Sequence, residues 1–239
     1  ELIFDTPSNS NGKIDVYVGY DPNNHKGFRF ITDITLERYY PLIKDLPIQT
    51  NLLMYLSSNK KESFAGPSSL WKDISMNGND MKFQSSVKLD NNDVHINKIS
   101  AIGPNSDKII PNEKLFTFIW SGMMKEFTKG NLFTLYANND SNIGISVDVK
   151  SGVGINNVLE VSIGSTKFVY KIGLAQKKMT YMLTRNNNNL ELYLDGFKIT
   201  PEKKITKIPE NLEINSKQMT LNKDSQLDFK LDYLIVYNK

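Results

Sequence analysis

The sequence contains no cysteine and only two histidines, His25 and His95. Without cysteine, the chain can form neither a disulfide framework nor a thiolate metal site. The two histidines lie far apart and have no partner at ligand spacing, so we interpret both as surface or turn residues rather than metal ligands. The lack of disulfides fits assembly in the cytosol, but a large core does not need them, so secretion stays open.

Long apolar runs and a strong net charge are also missing. No segment reaches the roughly 20 apolar residues of a membrane-spanning helix, and no signal peptide is present. The net charge is only +3 over 239 residues, and no segment combines arginines with aromatic residues as nucleic-acid-binding surfaces do. We therefore predict neither a transmembrane segment nor a nucleic-acid partner. The chain begins at Glu1 rather than Met, which suggests a processed or trimmed N-terminus.

The sequence does contain clear strand patterns, above all in its last third. Residues 190–195 alternate leucine with Glu, Tyr and Asp, a period of two that is typical of a strand with one buried face. Residues 186–189 are all asparagine, which tolerates the positive φ of tight hairpin turns. Asp195-Gly196 predicts a second tight turn into residues 197–199. In residues 227–237 the odd positions are largely apolar, which predicts a closing strand.

The region from residue 51 onward differs from the first 50 residues. It contains evenly spaced apolar or alternating runs with almost no helical period, at residues 52–56, 115–122, 131–136, 143–149, 158–163 and 167–172. We predict that residues 51–239 form an antiparallel all-β domain of two packed sheets. Residues 1–50 are predicted to be an N-terminal extension or tether, because their first 13 residues are rich in Ser, Asn, Pro and Gly. The alternative is that residues 1–50 add strands to the same fold.

A set of short motifs follows from residue 51 in a definite order. Residues 52–56 lead through a loop to Trp71-Lys-Asp-Ile-Ser-Met-Asn-Gly-Asn79, and residues 115–122 and 130–133 form the next aromatic strands. Thr184-Arg185, residues 190–196 and the closing run 231–238 complete the set. In this order the motifs resemble laminin G-like jelly-roll domains of the concanavalin A-like lectin/glucanase superfamily. The family's loop motif reads Trp-x-Asp-x-Ser-Gly-Asn-Gly-Asn, with Gly where this chain has Met76.

The resemblance implies a two-sheet antiparallel jelly-roll sandwich (concanavalin A-like) in which the motif residues are structural. We expect Trp71 to be a core or sheet-edge anchor, and Asp73 and Asn77 to bond loop backbone. Met76 puts the turn geometry in question, because a residue with a Cβ resists positive φ. The resemblance also implies a virion or cell-surface location, since such domains recur in surface and structural proteins of large DNA viruses and in phage and bacterial adhesins.

The superfamily includes glycoside hydrolases, which need two carboxylates about 5–9 Å apart across a cleft. Their catalytic strand is similar to Glu-x-Asp-x-x-Glu, and nothing in this sequence matches it. The pairs Glu191/Asp195 and Asp228/Asp232 have i, i+4 spacing, which we interpret as a solvated strand face and a turn. There is also no Ser/His/Asp order, phosphate-binding glycine loop or Cys/His cluster. We therefore predict that the protein is not an enzyme and assign no catalytic residue.

Two loops offer the hard oxygen ligands that calcium prefers. One contains Asn138, Asn139, Asp140 and Asn142, which are also the candidate ligand-binding residues, and the other is residues 90–93. Tight β-turns use the same residue types, so the structural interpretation is favoured and neither a metal site nor a cofactor is assigned. Aromatic residues for sugar stacking exist at positions 17, 20, 39, 40 and 136, but most such residues fill cores, so no site is named from them.

The expected function is a non-catalytic recognition or assembly module of a virion or surface structural protein. Glycan binding through rim loops is the leading mechanism. The alternative is a purely structural, capsid-type role in which the sandwich contacts other particle proteins and residues 1–50 tether it. A glycoside hydrolase is the least favoured reading. The fold itself suits all three, because fold does not determine function.

Overall fold

The computed structural model describes residues 50–124, 129–135, 144–151, 156–174, 177–202, 208 and 218–239. The predicted extension, apart from residue 50, lies outside these residues. The described part is almost entirely strand, with one short helix. Its elements are β1 (Leu52–Ser57), β2 (Ser68–Trp71), β3 (Met81–Asp90), β4 (Asp93–Asn97), β5 (Ala101–Asn105), α1 (Ser106–Ile109), β6 (Leu115–Met124), β7 (Gly130–Leu135), β8 (Ile145–Ser151), β9 (Asn156–Ile163), β10 (Thr166–Leu174), β11 (Met179–Asn186), β12 (Asn189–Leu194), β13 (Phe197–Ile199), β14 (Gln218–Leu221) and β15 (Asp228–Tyr237).

The strands form two antiparallel sheets that share β3. In the first sheet, β1 and β4 both pair with β15, and β6, β11, β12 and β13 follow on its other side. In the second sheet the order is β10-β9-β8-β7-β14-β5-β3, with β2 also paired to β3. β3 joins the sheets because its first residues pair with β2 and β5, whereas Lys88, Leu89 and Asp90 pair with β4. The predicted all-β, jelly-roll-like fold is confirmed.

Aromatic side chains from both sheets meet in the core. Phe118 of β6 stacks on Phe133 of β7 with ring centroids 5.1 Å apart. Trp120 contacts the same Phe133 edge-on at 5.5 Å and stacks on Tyr181 at 5.1 Å. All four rings are buried, and such pairs stabilise a core beyond the area that they remove from water. These contacts lock the two sheets together.

The predicted anchor role of Trp71 is confirmed. Its side chain is fully buried, stacks on Phe83 at 6.4 Å and contacts Phe64 edge-on at the same distance. Because Trp71 ends β2 and Phe83 lies near the start of β3, this cluster fixes the chain where the motif loop leaves the sheet.

The closing strand β15 breaks the alternation that the sequence predicts. Phe229 and Leu231 pack in the core, but Leu234 and Val236 take over this role further along. The register against β6 shifts between Leu231 and Tyr233, because one extra residue on a strand reverses which positions face inward. The predicted closing strand is confirmed, but beyond this shift residues 234–237 are all buried, at odd and even positions alike.

The two predicted turns of the last third are confirmed. Asn187 lies in the turn between β11 and β12 with φ 54°, and Asp195-Gly196 joins β12 to β13 with φ values of 49° and 84°. Arg185 is fully buried beneath the first turn, and its Nε–H donates to the Asn187 carbonyl at 3.0 Å. Burial lowers the pKa of Arg185. None of the helices in the described residues has the length and apolarity that a bilayer span requires.

Candidate ligand-binding cleft

The loop that follows Trp71 is organised by one carboxylate. Asp73 accepts hydrogen bonds from the backbone N–H groups of Tyr55, Ser75 and Asn79 at 2.8, 2.9 and 2.9 Å. It also accepts the Ser75 hydroxyl at 2.7 Å. Asn77 bonds the backbone too, since its Nδ2 donates to the Leu52 carbonyl at 2.8 Å. The predicted backbone-bonding role of Asp73 and Asn77 is thus confirmed.

Met76 occupies the tip of this loop. Its φ is 71°, in the left-handed region that glycine adopts most easily. The side chain is 97% exposed and so lacks the packing that would offset this backbone conformation. Met76 therefore adopts the turn geometry that glycine accepts most easily and puts an apolar side chain in solvent.

The second polar feature is the hairpin of β3 and β4. Its turn consists of Asn91 and Asn92, with φ values of 53° and 68°. Positive φ at both central positions matches the twist of antiparallel strands, and asparagine accepts it at low cost. Asp90 and Asp93 form the facing pair that closes the turn. Residues 90–93, one of the two calcium candidates, thus form a tight hairpin turn.

A cleft of about 740 Å³ opens beside this hairpin. Part of its lining is apolar, and these residues are partly or fully buried against the core: Val87, Leu89 and Ile99. The other part carries hydrogen-bonding side chains, with Pro67 completing the wall: Ser86, Lys88, Asp90, His95 and Asn97. The cleft thus combines apolar surface with donors and acceptors, as ligand sites generally do.

His95 lies at the centre of the polar wall. Its Nε2 is 2.9 Å from Oδ1 of Asp228, and its Nδ1 is 3.9 Å from Oδ2 of Asp90. In register it stands between Lys88 of β3 and Lys230 of β15. His95 lies within β4 rather than in a turn, and its side chain is 23% exposed at the cleft, whereas His25 lies outside the described residues.

Salt bridges hold the acidic groups of this wall in place. Nζ of Lys230 lies 2.8 Å from Oδ2 of Asp90, and the hydrogen bond from this ammonium group holds the pKa of Asp90 below its ordinary value. Asp228 is engaged by His95. Lys88 differs from Lys230, because it forms no ion pair with a carboxylate in the described part of the chain.

A second ionic cluster includes Asp93, the first residue of β4. Nζ of Lys178 bridges Asp93 at 2.8 Å and Asp232 at 2.9 Å. Burial lowers the pKa of Lys178, but the hydrogen bonds to the two carboxylates outweigh this effect, and its pKa lies above the ordinary value. Asp232 also accepts a hydrogen bond from the Ser58 hydroxyl at 3.1 Å. This cluster ties β4 and β15 to the start of β11 and to the loop after β1.

The carboxylate pairs examined for catalysis have structural partners. Glu191 forms an ion pair with Lys198 and accepts a hydrogen bond from the Tyr193 hydroxyl at 2.6 Å. The hydrogen bonds from Lys198 and Tyr193 lower the pKa of Glu191. Asp195 accepts the Thr180 N–H at 2.8 Å beside its hairpin turn. Asp228 and Asp232 are held by His95 and Lys178 as described above. Over the described ranges, no group of three or more His, Asp or Glu side chains is arranged to hold a metal ion.

Several predicted site residues lie outside the described residues. They are the ligand-binding and calcium candidates Asn138, Asn139, Asp140 and Asn142, and the tyrosines at positions 17, 20, 39, 40 and 136. These interpretations stay predictions.

The polar cleft residues follow a pattern in the sequence that a search for alternating apolar residues does not detect. Lys88 and Asp90 precede the Asn-Asn turn at alternate positions, and His95 and Asn97 follow it at alternate positions. A two-residue hairpin places such pairs on one face of the sheet. Their partners Asp228 and Lys230 come from far along the chain, so only the fold brings them together.

Neither a protein-family model nor a curated protein sequence matches this chain. Solved structures do match. Botulinum neurotoxin type C, whose cell entry depends on interaction with two ganglioside molecules, has a TM-score of 0.61 at 14% identity, over 82% of this chain and 50% of its own. The binding domain of botulinum neurotoxin DC in complex with SialylT has a TM-score of 0.59 at 16% identity, over 80% of this chain and 48% of its own.

A Trypanosoma rangeli sialidase in complex with sialic acid also matches, with a TM-score of 0.58 at 14% identity, over 79% of this chain and 31% of its own. This chain therefore corresponds to a third to a half of the length of these structures. Sequence identity at this level establishes common architecture only. The chain shares with these structures an antiparallel β-sandwich fold.

Proposed function

We propose that this domain is a non-catalytic glycan-recognition module and that the β3–β4 cleft binds the saccharide. The proposal rests on the composition of the cleft wall. Hydrogen-bonding side chains of Lys88, His95 and Asn97 lie there beside apolar Val87 and Ile99. A saccharide presents hydroxyl groups and apolar C–H surface together, and this lining offers partners for both.

The polar wall is ordered before a ligand arrives. Asp90 is held by Lys230, and His95 by Asp228. A ligand that binds such a wall orders few additional side chains, and this lowers the entropy cost of binding. Preorganisation of this kind supports a recognition role for the hairpin rather than a purely scaffolding one.

The structural neighbours add support of a second kind. They include a sialidase in complex with sialic acid and a neurotoxin binding domain in complex with SialylT. The β-sandwich fold that this chain shares with them is thus compatible with glycan ligands. We further propose that the domain is of the laminin G-like type, because its motifs follow the order of that family and Asp73 organises the loop. We also propose that it is located on a virion or cell surface.

The test is a broad glycan array probed with the whole chain, with and without calcium. We expect selective binding, and we expect Asn97→Ala to weaken it about tenfold, as the loss of one hydrogen bond of about 1–1.5 kcal/mol would. Asn97 is exposed, so its replacement does not threaten the fold. Gln84→Ala is the matched control, because Gln84 is exposed on the same hairpin's first strand but does not line the cleft.

Two outcomes would contradict the proposal in different ways. A blank array from folded protein would reject glycan recognition and favour the structural, capsid-type role, in which the domain contacts other particle proteins. Selective binding that Asn97→Ala leaves unchanged would place the site elsewhere, and the loop of Asn138, Asn139, Asp140 and Asn142 would be tested next. An effect of calcium on binding would favour a metal in one of the oxygen-rich loops.

A further inference from the structure

Resting on the proposed function, we infer that the cleft selects saccharides that carry a carboxylate group, and that the Lys88 ammonium group binds this carboxylate. The inference concerns the charge balance of the cleft wall. It adds a ligand class to a site that would otherwise accept any polar sugar of suitable shape.

The charged groups of the cleft wall differ in whether they have an ion-pair partner. Asp90 forms an ion pair with Lys230, 2.8 Å away, and Asp228 lies 2.9 Å from Nε2 of His95. Each carboxylate therefore has a side-chain partner, an ammonium group for Asp90 and an imidazole ring for Asp228. Lys88 remains as a cation that lines the cleft without an ion-pair partner among the described residues. The Lys88 ammonium group acts on Asp90 only through a longer-range attraction, so it is the lining cation that can form an ion pair with a ligand.

The position of Lys88 suits a ligand rather than a structural role. Its side chain is exposed, whereas that of Lys230 is only 17% exposed and is directed to Asp90. In register Lys88 faces His95 across the hairpin, so a carboxylate at the ammonium group would lie beside the imidazole ring. A charge-assisted hydrogen bond is about twice as strong as a neutral one, so this contact would distinguish an acidic sugar from its neutral parent.

Asp90 is the group that could oppose an acidic ligand, since it also lines the cleft. Its charge is compensated by Lys230, whose hydrogen bond keeps the carboxylate ionised and in place. The pair of Asp90 and Lys230 therefore carries no net charge, and Lys88 is the cation of the cleft lining that is left to contact a ligand carboxylate. The sequence on β3 offers a control for this argument, because Lys82 is exposed on the same strand and does not line the cleft.

The experiment compares 3′-sialyllactose with lactose as probes for the whole chain, by isothermal titration calorimetry or ligand-observed NMR. The two probes share a lactose unit and differ by the acidic sugar. We expect 3′-sialyllactose to bind about tenfold more tightly, and its affinity to fall as salt is added, because an exposed ion pair is screened. K88Q should abolish the preference, K88R should keep most of it, and K82Q should change nothing. Melting temperatures of all variants verify folding.

Each outcome decides between the two proposals. Equal affinity for the two probes, or a preference that K88Q leaves intact, overturns the carboxylate inference while the glycan-recognition proposal survives. Binding of neither probe by folded protein overturns the inference, and the broad array then decides the fate of the proposed function separately. A preference lost in both K88Q and K82Q would indicate a general effect of net charge, which also rejects a specific role for Lys88.

Discussion

Removal of the Asp73 carboxylate tests the structural reading of the loop motif. Asp73 accepts four hydrogen bonds, three of them from backbone N–H groups on two separate segments of chain: Tyr55, Ser75 and Asn79. In Asp73→Ala all four donors lose their acceptor. The N–H of Tyr55 belongs to β1, so the damage extends from the loop into the sheet.

The expected magnitude follows from the number and kind of these bonds. A hydrogen bond to a charged group contributes about 1.5–3 kcal/mol, and an unsatisfied donor is costly when it stays buried. The loop is partly exposed, so water can replace some of the lost acceptors and the four contributions do not add in full. We expect Asp73→Ala to lower the free energy of unfolding by about 3–5 kcal/mol, and Asp73→Asn, which keeps one acceptor oxygen, by about half as much.

Urea unfolding followed by far-UV circular dichroism measures this difference. The control is Glu62→Ala, which removes an exposed carboxylate and should change stability by less than about 0.5 kcal/mol. A loss below about 1 kcal/mol for Asp73→Ala would refute the reasoning, because it would mean that the four hydrogen bonds do not organise the loop. A folded, stable Asp73→Ala that had lost glycan binding would instead assign the motif to ligand recognition.

Two further predictions concern stability. Lys178→Met should lower the free energy of unfolding by about 2–4 kcal/mol, because it leaves Asp93 and Asp232 without their shared cation. Equilibrium urea unfolding measures this loss. An unchanged midpoint would show that solvent already compensates the two carboxylates. Burial raises the pKa of Tyr170 to about 12, above the value of about 10 in an unfolded chain. Its contribution to stability is therefore complete below pH 10 and is lost as the pH rises from 10 towards 12. The Tyr170 hydroxyl is buried and has no hydrogen-bond partner within the described ranges. Tyr170→Phe should therefore be neutral or stabilising at pH 7 and should raise the midpoint of alkaline unfolding, whereas an unchanged alkaline midpoint would place the sensitive group elsewhere.

Local patterns account for much of the fold. The asparagines between β11 and β12 and the Asp195-Gly196 pair predict turns correctly, because positive φ is a local backbone requirement that few residue types meet. The alternation of residues 190–194 places Leu192 in the core in the same way. Residues 54–56 are buried, as expected of a continuous apolar run that spans residues 52–56.

The cleft depends on contacts that no local pattern contains. His95 and Asp228 are separated by 133 positions along the chain, yet their side chains lie 2.9 Å apart. Lys230 reaches Asp90 only because β15 pairs with β4. The irregularity near Asp232 is likewise a property of the pairing with β6, since it shifts the register of two strands rather than the pattern of one.

The sequence by itself thus determined the all-β class and the tight turns, since these follow from side-chain periodicity and local backbone conformation. The resemblance of the loop motif to a known family indicated the anchoring residues Trp71 and Asp73. The tertiary structure alone decided which charges meet. It pairs Asp90 with Lys230 and His95 with Asp228, and it leaves Lys88 on the cleft wall without an ion-pair partner among the described residues. The physical reason is that ion pairing depends on the distance between two groups in space. Strand order and register determine this distance, and separation along the chain does not.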